Sequence, residues 1–187
     1  MTLLTDAAAF ARPRYAEAHR HYHTAAHVQA VVHVLKVRGA LTPALELAAW
    51  GHDLIYDPRA NDNEQRSAEE FDTWLAAQGA PDDLRRTVRA LILATRHTAP
   101  PSGRDEALFV DADLSILGAN SEEFGIYDRA IREEYAHVPD DVYRPGRAQV
   151  LRHFLNRKRL YTTPEFSELE ALAQKNLQRA LARLEGN

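Results

Sequence analysis

PALELAAWGHDLIYD, residues 43–57, is the stretch on which the reading of this chain turns. Pro43 suits the first turn of a helix, where its missing N–H has no intrahelical acceptor in any case. From there Leu45, Ala48, Ala49 and His52 repeat at helical spacing and share one face. Tyr56-Asp57-Pro58 then breaks the run. His52 and Asp53 therefore close an otherwise apolar helix. Neighbouring helical side chains point about 100° apart, yet both can reach one ion sitting beyond the helix end.

Helix signals continue on either side. The alanine-rich segment from Thr5 to about Arg20 predicts a helix that Pro13 splits or kinks. Thr24 predicts the cap of a second helix, with His27, Val28, Val31, Val32 and Leu35 on its stripe and an end near Gly39. A fourth helix is expected over roughly Glu64 to Ala77, stopped by Gly79, and a fifth after Pro81-Asp82-Asp83, with Val88, Leu91, Ile92 and Thr95 in phase. TAPPSGR, residues 98–104, reads as a surface loop. Asp105 to Leu117 reads as a sixth helix closed by Gly118, and Ser121 as the cap of a seventh. Pro145-Gly146 precedes an arginine-rich eighth segment from Arg147 to about Arg159. Thr163-Pro164 opens the last, with Leu169, Leu172, Leu177, Leu181 and Leu184 as its stripe. Strand alternation and internal repeats are lacking, so the expectation is an all-α single domain.

Composition limits the chemistry. The chain has 187 residues, 23 Lys and Arg against 27 Asp and Glu, nine His and no Cys. That length buries a substantial core. A net charge of −4 gives no electrostatic basis for binding nucleic-acid duplexes. Without cysteine there is no disulfide, zinc ribbon, iron–sulfur cluster or thiol nucleophile. No apolar run approaches the roughly 20 residues of a membrane span, and the N-terminus does not read as a signal peptide. A cytoplasmic protein without membrane partners is the expectation.

Histidine without cysteine is what stands out, and metal-competent residues fall in three clusters. In the first, His21 to His27, the four-residue spacing of His23 and His27 stacks them on one face if the helix begins that early. The second is His52-Asp53. The third is Asp111-Ala112-Asp113 in the apolar setting ALFVDADLSIL, where an unpaired carboxylate is costly and a divalent cation would offset that cost. Each cluster alone is weak, since a lone histidine on an apolar stripe is more often a hydrogen-bonded core residue. Their joint occurrence on successive helices is the signal.

The order His27, then His52-Asp53, then an Asp in DADL resembles the signature of the HD superfamily of metal-dependent phosphohydrolases. YHTAAH, residues 22–27, is similar to the YHxxxH motif of its cyclic-nucleotide phosphodiesterase branch. AAWGHDLIYDP, LILATRHT, DADLSILG and GRAQVLRHFLNRKRLY extend the likeness to a group of stand-alone bacterial HD proteins described as predicted phosphohydrolases. No HDIGK-type lysine and no GYP motif follows, which speaks against cyclic-di-nucleotide activity.

The resemblance implies an HD-fold helical bundle, with a metal-binding core over about 20–120 and C-terminal helices over about 121–187. It implies that His27, His52, Asp53 and Asp113 bind one divalent metal, with Asp111 the rival for the last place. His23 matches a general acid of the phosphodiesterase branch. Asp57 matches a catalytic position of another branch, or is a turn residue before Pro58. Glu64 either orients the attacking water or pairs with a ligand histidine, or is a solvated first-turn residue. His97 either contacts substrate or a second metal, or is a histidine favoured at a helix C-terminus. Arg66 and Arg147 are the candidates for holding phosphate, as Arg forks suit its oxygens. Asn176 is expected to satisfy a buried polar group.

Mn²⁺ is the favoured ion, with Mg²⁺, Fe²⁺, Co²⁺, Ni²⁺ or Zn²⁺ as alternatives, because imidazole and carboxylate together do not single out one. The implied activity is hydrolysis of a phosphomonoester or phosphoanhydride, most plausibly of a nucleotide, by metal-bound hydroxide. The alternative is a catalytically silent metal- or nucleotide-binding sensor. An oligomer is compatible with the sequence and not required by it.

Overall fold

The helix over residues 43–51 forms where the sequence places it. In a computed structural model that describes residues 2–186, Thr42 caps it by accepting the Leu45 N–H at 3.3 Å, and Pro43 occupies its first turn. Leu45, Leu47, Ala48, Ala49, Trp50 and Gly51 are all buried, so this helix is covered on every side rather than along one stripe.

Its neighbours complete an all-α architecture. The described residues form α1 (Leu3–Tyr15), α2 (Ala25–Val37), α3 (Pro43–Gly51), α4 (Asn63–Ala77), α5 (Asp82–Ala94), α6 (Arg104–Asp113), α7 (Ser121–Glu134), α8 (Asp140–Leu155) and α9 (Glu170–Glu185). Two 3₁₀ turns, Leu114–Gly118 and Pro164–Leu169, precede α7 and α9, and no strand occurs among the described residues. None of these helices is long and apolar enough to cross a membrane. The chain divides into two compact units, one through Asp113 and another from Leu114 onward.

In the first unit α3 packs against α1, α2, α4 and α5, while α6 packs against α2 and α5. Leu35, Leu45, Leu47, Leu54, Phe71, Leu75, Leu91, Ile92 and Phe109 are its large buried side chains. Gly51 is where α3 comes closest to α4 and α5. A Cβ added there would lie 2.5 Å from the Phe71 ring and 2.8 Å from Ile92 Cδ1. Phe71 cannot turn aside, because it is fully buried and its ring is stacked on Trp74 at 5.4 Å.

In the second unit α9 packs on α8 and on both 3₁₀ turns. Asn176, 2% exposed, donates from Nδ2 to the carbonyls of Leu117 at 2.9 Å and Ala119 at 2.8 Å. It satisfies buried carbonyls as expected. Tyr161 Oη donates to the Leu114 carbonyl at 2.9 Å, at the other end of the same turn. Glu170 accepts from the backbone N–H of Leu160 and of Tyr161.

Several boundaries differ from the sequence expectation. Pro13 does not split α1 but sits in its last turn, and the carbonyl it leaves without a partner belongs to the exposed Ala9. Pro145 likewise lies inside α8, and the carbonyl it leaves without a helical partner belongs to exposed Asp141 in the first turn. The sixth helix tightens to 3₁₀ after Asp113 instead of running to Leu117. Asn120 rather than Ser121 caps α7, its Oδ1 accepting from the N–H groups of Glu122 and Glu123. The buried stripe of α9 is Ala173, Asn176, Leu177 and Ala180, and Leu172 is exposed.

Two expectations for stability follow from this packing. Gly51→Ala overpacks the α3–α4–α5 junction and lowers stability by about 1–3 kcal/mol, read as a shift in urea midpoint. Partial burial works to raise the Glu170 carboxyl, but the hydrogen bonds from Tyr161 N–H, Gln174 and Leu160 N–H outweigh it and hold the group below its ordinary value. A depressed carboxyl stabilises the fold above the unfolded-state value and ceases to as pH falls through the lower folded-state one. Wild type therefore exceeds Glu170→Gln in stability at pH 7, and the gap closes in acid, below about pH 4. Urea midpoints of both proteins measured between pH 3 and 7 check this.

Candidate metal centre

A buried helix must find partners for its last carbonyls, and the end of α3 shows where they come from. His52 N–H bonds the Ala48 carbonyl and His52 Nδ1 lies 2.9 Å from the Ala49 carbonyl. The Tyr15 hydroxyl, at the end of α1, donates to the Trp50 carbonyl at 3.1 Å. The Leu54 N–H bonds the Gly51 carbonyl, and Arg20 takes two carbonyls just beyond the helix: Nη1 donates to that of Asp53 at 2.6 Å and Nη2 to that of Leu54 at 3.0 Å. Nη1 also reaches the His23 carbonyl at 3.2 Å, and Nε pairs with Glu17 at 3.0 Å. The guanidinium lies over the rings of Tyr15 and Tyr56 and is buried. It ties the segment leading into α2 to the His-Asp turn.

The contact of His52 Nδ1 with a carbonyl settles its tautomer, because a carbonyl only accepts. The proton is on Nδ1, and Nε2 of a neutral His52 is a bare lone pair. That lone pair faces Asp53 Oδ2 at 3.0 Å and His27 Nε2 at 3.1 Å. Asp113 Oδ1 stands 3.1 Å from His27 Nε2 and 3.5 Å from His52 Nε2, and His27 Nε2 is 3.7 Å from Asp53 Oδ2. His27 and His52 are buried, and the two carboxylates retain 15% and 14% exposure. Donor atoms bound to one ion at about 2.1 Å stand roughly 3.0–3.4 Å apart, from octahedral to tetrahedral. The closest of these separations, His52 with Asp53, His52 with His27 and His27 with Asp113, fall in that range. His27, His52 and Asp53 by themselves form a group able to hold an ion.

Without an ion, the charges compensate one another. Burial disfavours the His52 cation, yet Asp53 and Asp113 outweigh it and raise the imidazole well above its ordinary value. Burial likewise works to raise Asp53, but the charges of His52 and His23 drive it strongly down. Asp113 is also lowered, against burial, by hydrogen bonds with His27, His52 and His97. A proton or a metal ion has to stand among these acceptors, and metal binding would displace the proton.

The structure brings some of the sequence candidates to this point and not others. Asp113 rather than Asp111 faces both imidazoles. Two residues along a helix is a turn of about 200°, so the fully buried Asp111 lies on the opposite side of α6. His23 precedes α2, which begins only at Ala25, and so does not share a helical face with His27. Its ring nevertheless lies 6.0 Å from that of His27 and stacks on Tyr56 at 4.2 Å. His97 Nε2 lies 3.2 Å from Asp113 Oδ2.

Asp57 serves the loop after α3. Its Oδ1 accepts the Arg59 N–H at 2.9 Å, an Asx turn, and its own N–H donates to Asn63 Oδ1. Glu64, half-buried in the first turn of α4, takes no part in the contacts of the centre among the described residues. Arg66 is exposed and 3.8 Å from Asp62. Arg147 is engaged within the second unit, donating to the Tyr127 hydroxyl at 3.1 Å and lying 3.5 Å from Asp128.

Arg20, Tyr15 and Ser67 are the supporting residues that sequence reasoning missed. Ser67, fully buried, accepts the Ile55 N–H at 2.9 Å and donates to the Ile55 carbonyl at 3.2 Å, pinning the loop beyond Asp53 to α4. Nothing in the sequence separates Arg20 from the other arginines, since its role lies in carbonyls more than thirty residues away. Comparison with family models, with curated proteins and with solved structures returns no match for this chain.

Replacing Arg20 tests the carbonyl clamp. Arg20→Met leaves the carbonyls of His23, Asp53 and Leu54 without their donor, and each unsatisfied buried group costs about 1–3 kcal/mol. A loss of roughly 3 kcal/mol or more in urea unfolding is expected. A loss below about 0.5 kcal/mol, typical of an ordinary surface substitution, would show that the clamp contributes nothing.

Proposed function

We propose that this chain is a metal-dependent phosphohydrolase acting on a phosphomonoester or phosphoanhydride, with a nucleotide as the favoured substrate class. The observation that carries the reading is the His52 tautomer: Nδ1 is committed to the Ala49 carbonyl, and Nε2 opens toward Asp53, Asp113 and His27 within 3.0–3.5 Å. Two imidazoles and two carboxylates form a mixed nitrogen and oxygen donor set, which suits Mn²⁺ and the neighbouring first-row ions. Such an ion supplies Lewis acidity toward a phosphoryl oxygen and a water of lowered pKa. The order of these residues along the sequence, shared with the HD superfamily pattern, supports phosphate as the group attacked.

The chain's own residues divide the remaining work. His27, His52, Asp53 and Asp113 hold the ion. His52 keeps its orientation through the Ala49 carbonyl, as ligand histidines commonly do through an outer acceptor. His23, half-buried beside His27 and stacked on Tyr56, is the group placed to give a proton to a departing oxygen. Tyr56 fixes the plane of that imidazole, and Arg20 fixes the backbone carbonyl behind it.

Purified protein loaded with Mn²⁺ and offered a panel of nucleotides and p-nitrophenyl phosphate should release inorganic phosphate. Asp53→Ala should reduce turnover by more than about 100-fold, beyond the 10–100-fold that loss of an outer partner of a ligand typically costs. Stoichiometric metal with no phosphate release above the Asp53→Ala control would leave a metal-binding sensor as the reading. Absence of stoichiometric metal would remove both.

A further inference from the structure

His97 is the only non-glycine among the described residues with positive φ, at +55°. It lies two residues beyond Thr95, the C-cap of α5. Glycine or asparagine usually fills a left-handed position, because most other side chains are strained there. The strain has a counterpart in the side chain. The left-handed turn carries the imidazole toward α6, and Nε2 stops 3.2 Å from Asp113 Oδ2. Only 17% of the His97 side chain is exposed.

Asp113 is the residue of the cluster most in need of such a contact. It is the last residue of α6, and a carboxylate at a helix C-terminus faces the negative end of the macrodipole. Immediately after it the chain tightens into a 3₁₀ turn, so no further helical turn holds it in place. Its two oxygens are divided. Oδ1 faces the imidazoles of His27 and His52, and Oδ2 faces His97.

We propose that His97 is a positioning residue of the metal centre, donating from Nε2–H to Asp113 Oδ2 so that Oδ1 is directed at the ion. It touches neither ion nor substrate in this role. The strained backbone at His97 is retained because a relaxed residue there would not deliver the donor. The inference rests on the metal-centre reading above and deepens it, by giving a function to a fifth side chain that the sequence left open between substrate, a second metal and a helix-end histidine.

The test compares His97→Gly and His97→Gln with wild type in titrations with Co²⁺, whose visible absorption reports the ligand geometry. Glycine suits the left-handed backbone but has no donor, whereas glutamine keeps an Nε2–H donor on a strained backbone. Affinity that follows the donor is expected: about 10–100-fold weaker Co²⁺ binding with an altered spectrum for His97→Gly, and partial recovery in His97→Gln. If the position matters only as a turn, the order reverses, with His97→Gly binding like wild type and His97→Gln binding worse. That order overturns the proposal and leaves the metal centre standing. Failure of wild type to bind one equivalent of Co²⁺ overturns the metal centre itself. His97→Gly is matched to the backbone and so keeps the fold, which far-UV circular dichroism verifies.

Discussion

The end of a buried helix has to give away its last carbonyls, and in this protein that requirement organises the first unit. From Leu47 to Gly51 α3 is buried on all sides and so cannot turn its C-terminus to water. The donors are Tyr15 at the end of α1, the capping His52 and the Leu54 N–H, while Arg20, in the turn that follows α1, serves the carbonyls of Asp53 and Leu54 just beyond the helix. Each of these side chains has a second consequence. Tyr15 ties α1 to α3. Arg20 draws the His23 carbonyl to the same point as those of Asp53 and Leu54. His52, by keeping its proton on Nδ1 to donate to the Ala49 carbonyl, has a lone pair on Nε2 when neutral. The solution to a backbone problem thus prepares a ligand.

A bare lone pair and two carboxylates at the mouth of a buried site repel one another unless a positive charge stands between them. The structure meets this partly with histidines, which lower both Asp53 and Asp113, and His27, His52 and Asp53 form a group that could hold an ion. The carboxylates are also delivered from opposite kinds of place. Asp53 follows directly on the His52 turn, while Asp113 arrives from α6 and is steadied by His97 at the end of α5. Gly51 allows this meeting, since it lets α3 approach Phe71 and Ile92 more closely than any side chain would permit.

The helices were legible because the apolar period of each is long and its ends are marked. Pro43, Gly39 and Gly79 stand where a helix begins or has just ended, and the two glycines have positive φ of 66° and 72°. The prolines at 13 and 145 misled because proline's penalty depends on whether the orphaned carbonyl can reach water, and Ala9 and Asp141 are exposed. Likewise Ser121 and Asn120 are both good caps by residue type. Which of the two caps α7 depends on where the preceding 3₁₀ turn leaves the chain.

The sequence alone determined the helical class and which residues are chemically able to hold a metal: His27, His52 and Asp53, with an acidic residue near 111–113. Those are properties of residue type and local period, which act over a few residues. The tertiary structure decided that Asp113 rather than Asp111 meets the histidines, that Asp57 closes a turn, and that His97 turns to a carboxylate. It also decided that one arginine among many holds three carbonyls together. These depend on distances between segments far apart in the chain. Such distances are set by the packing of α3 against α1, α2, α4 and α5, and of α6 against α2 and α5, about which no local period carries information.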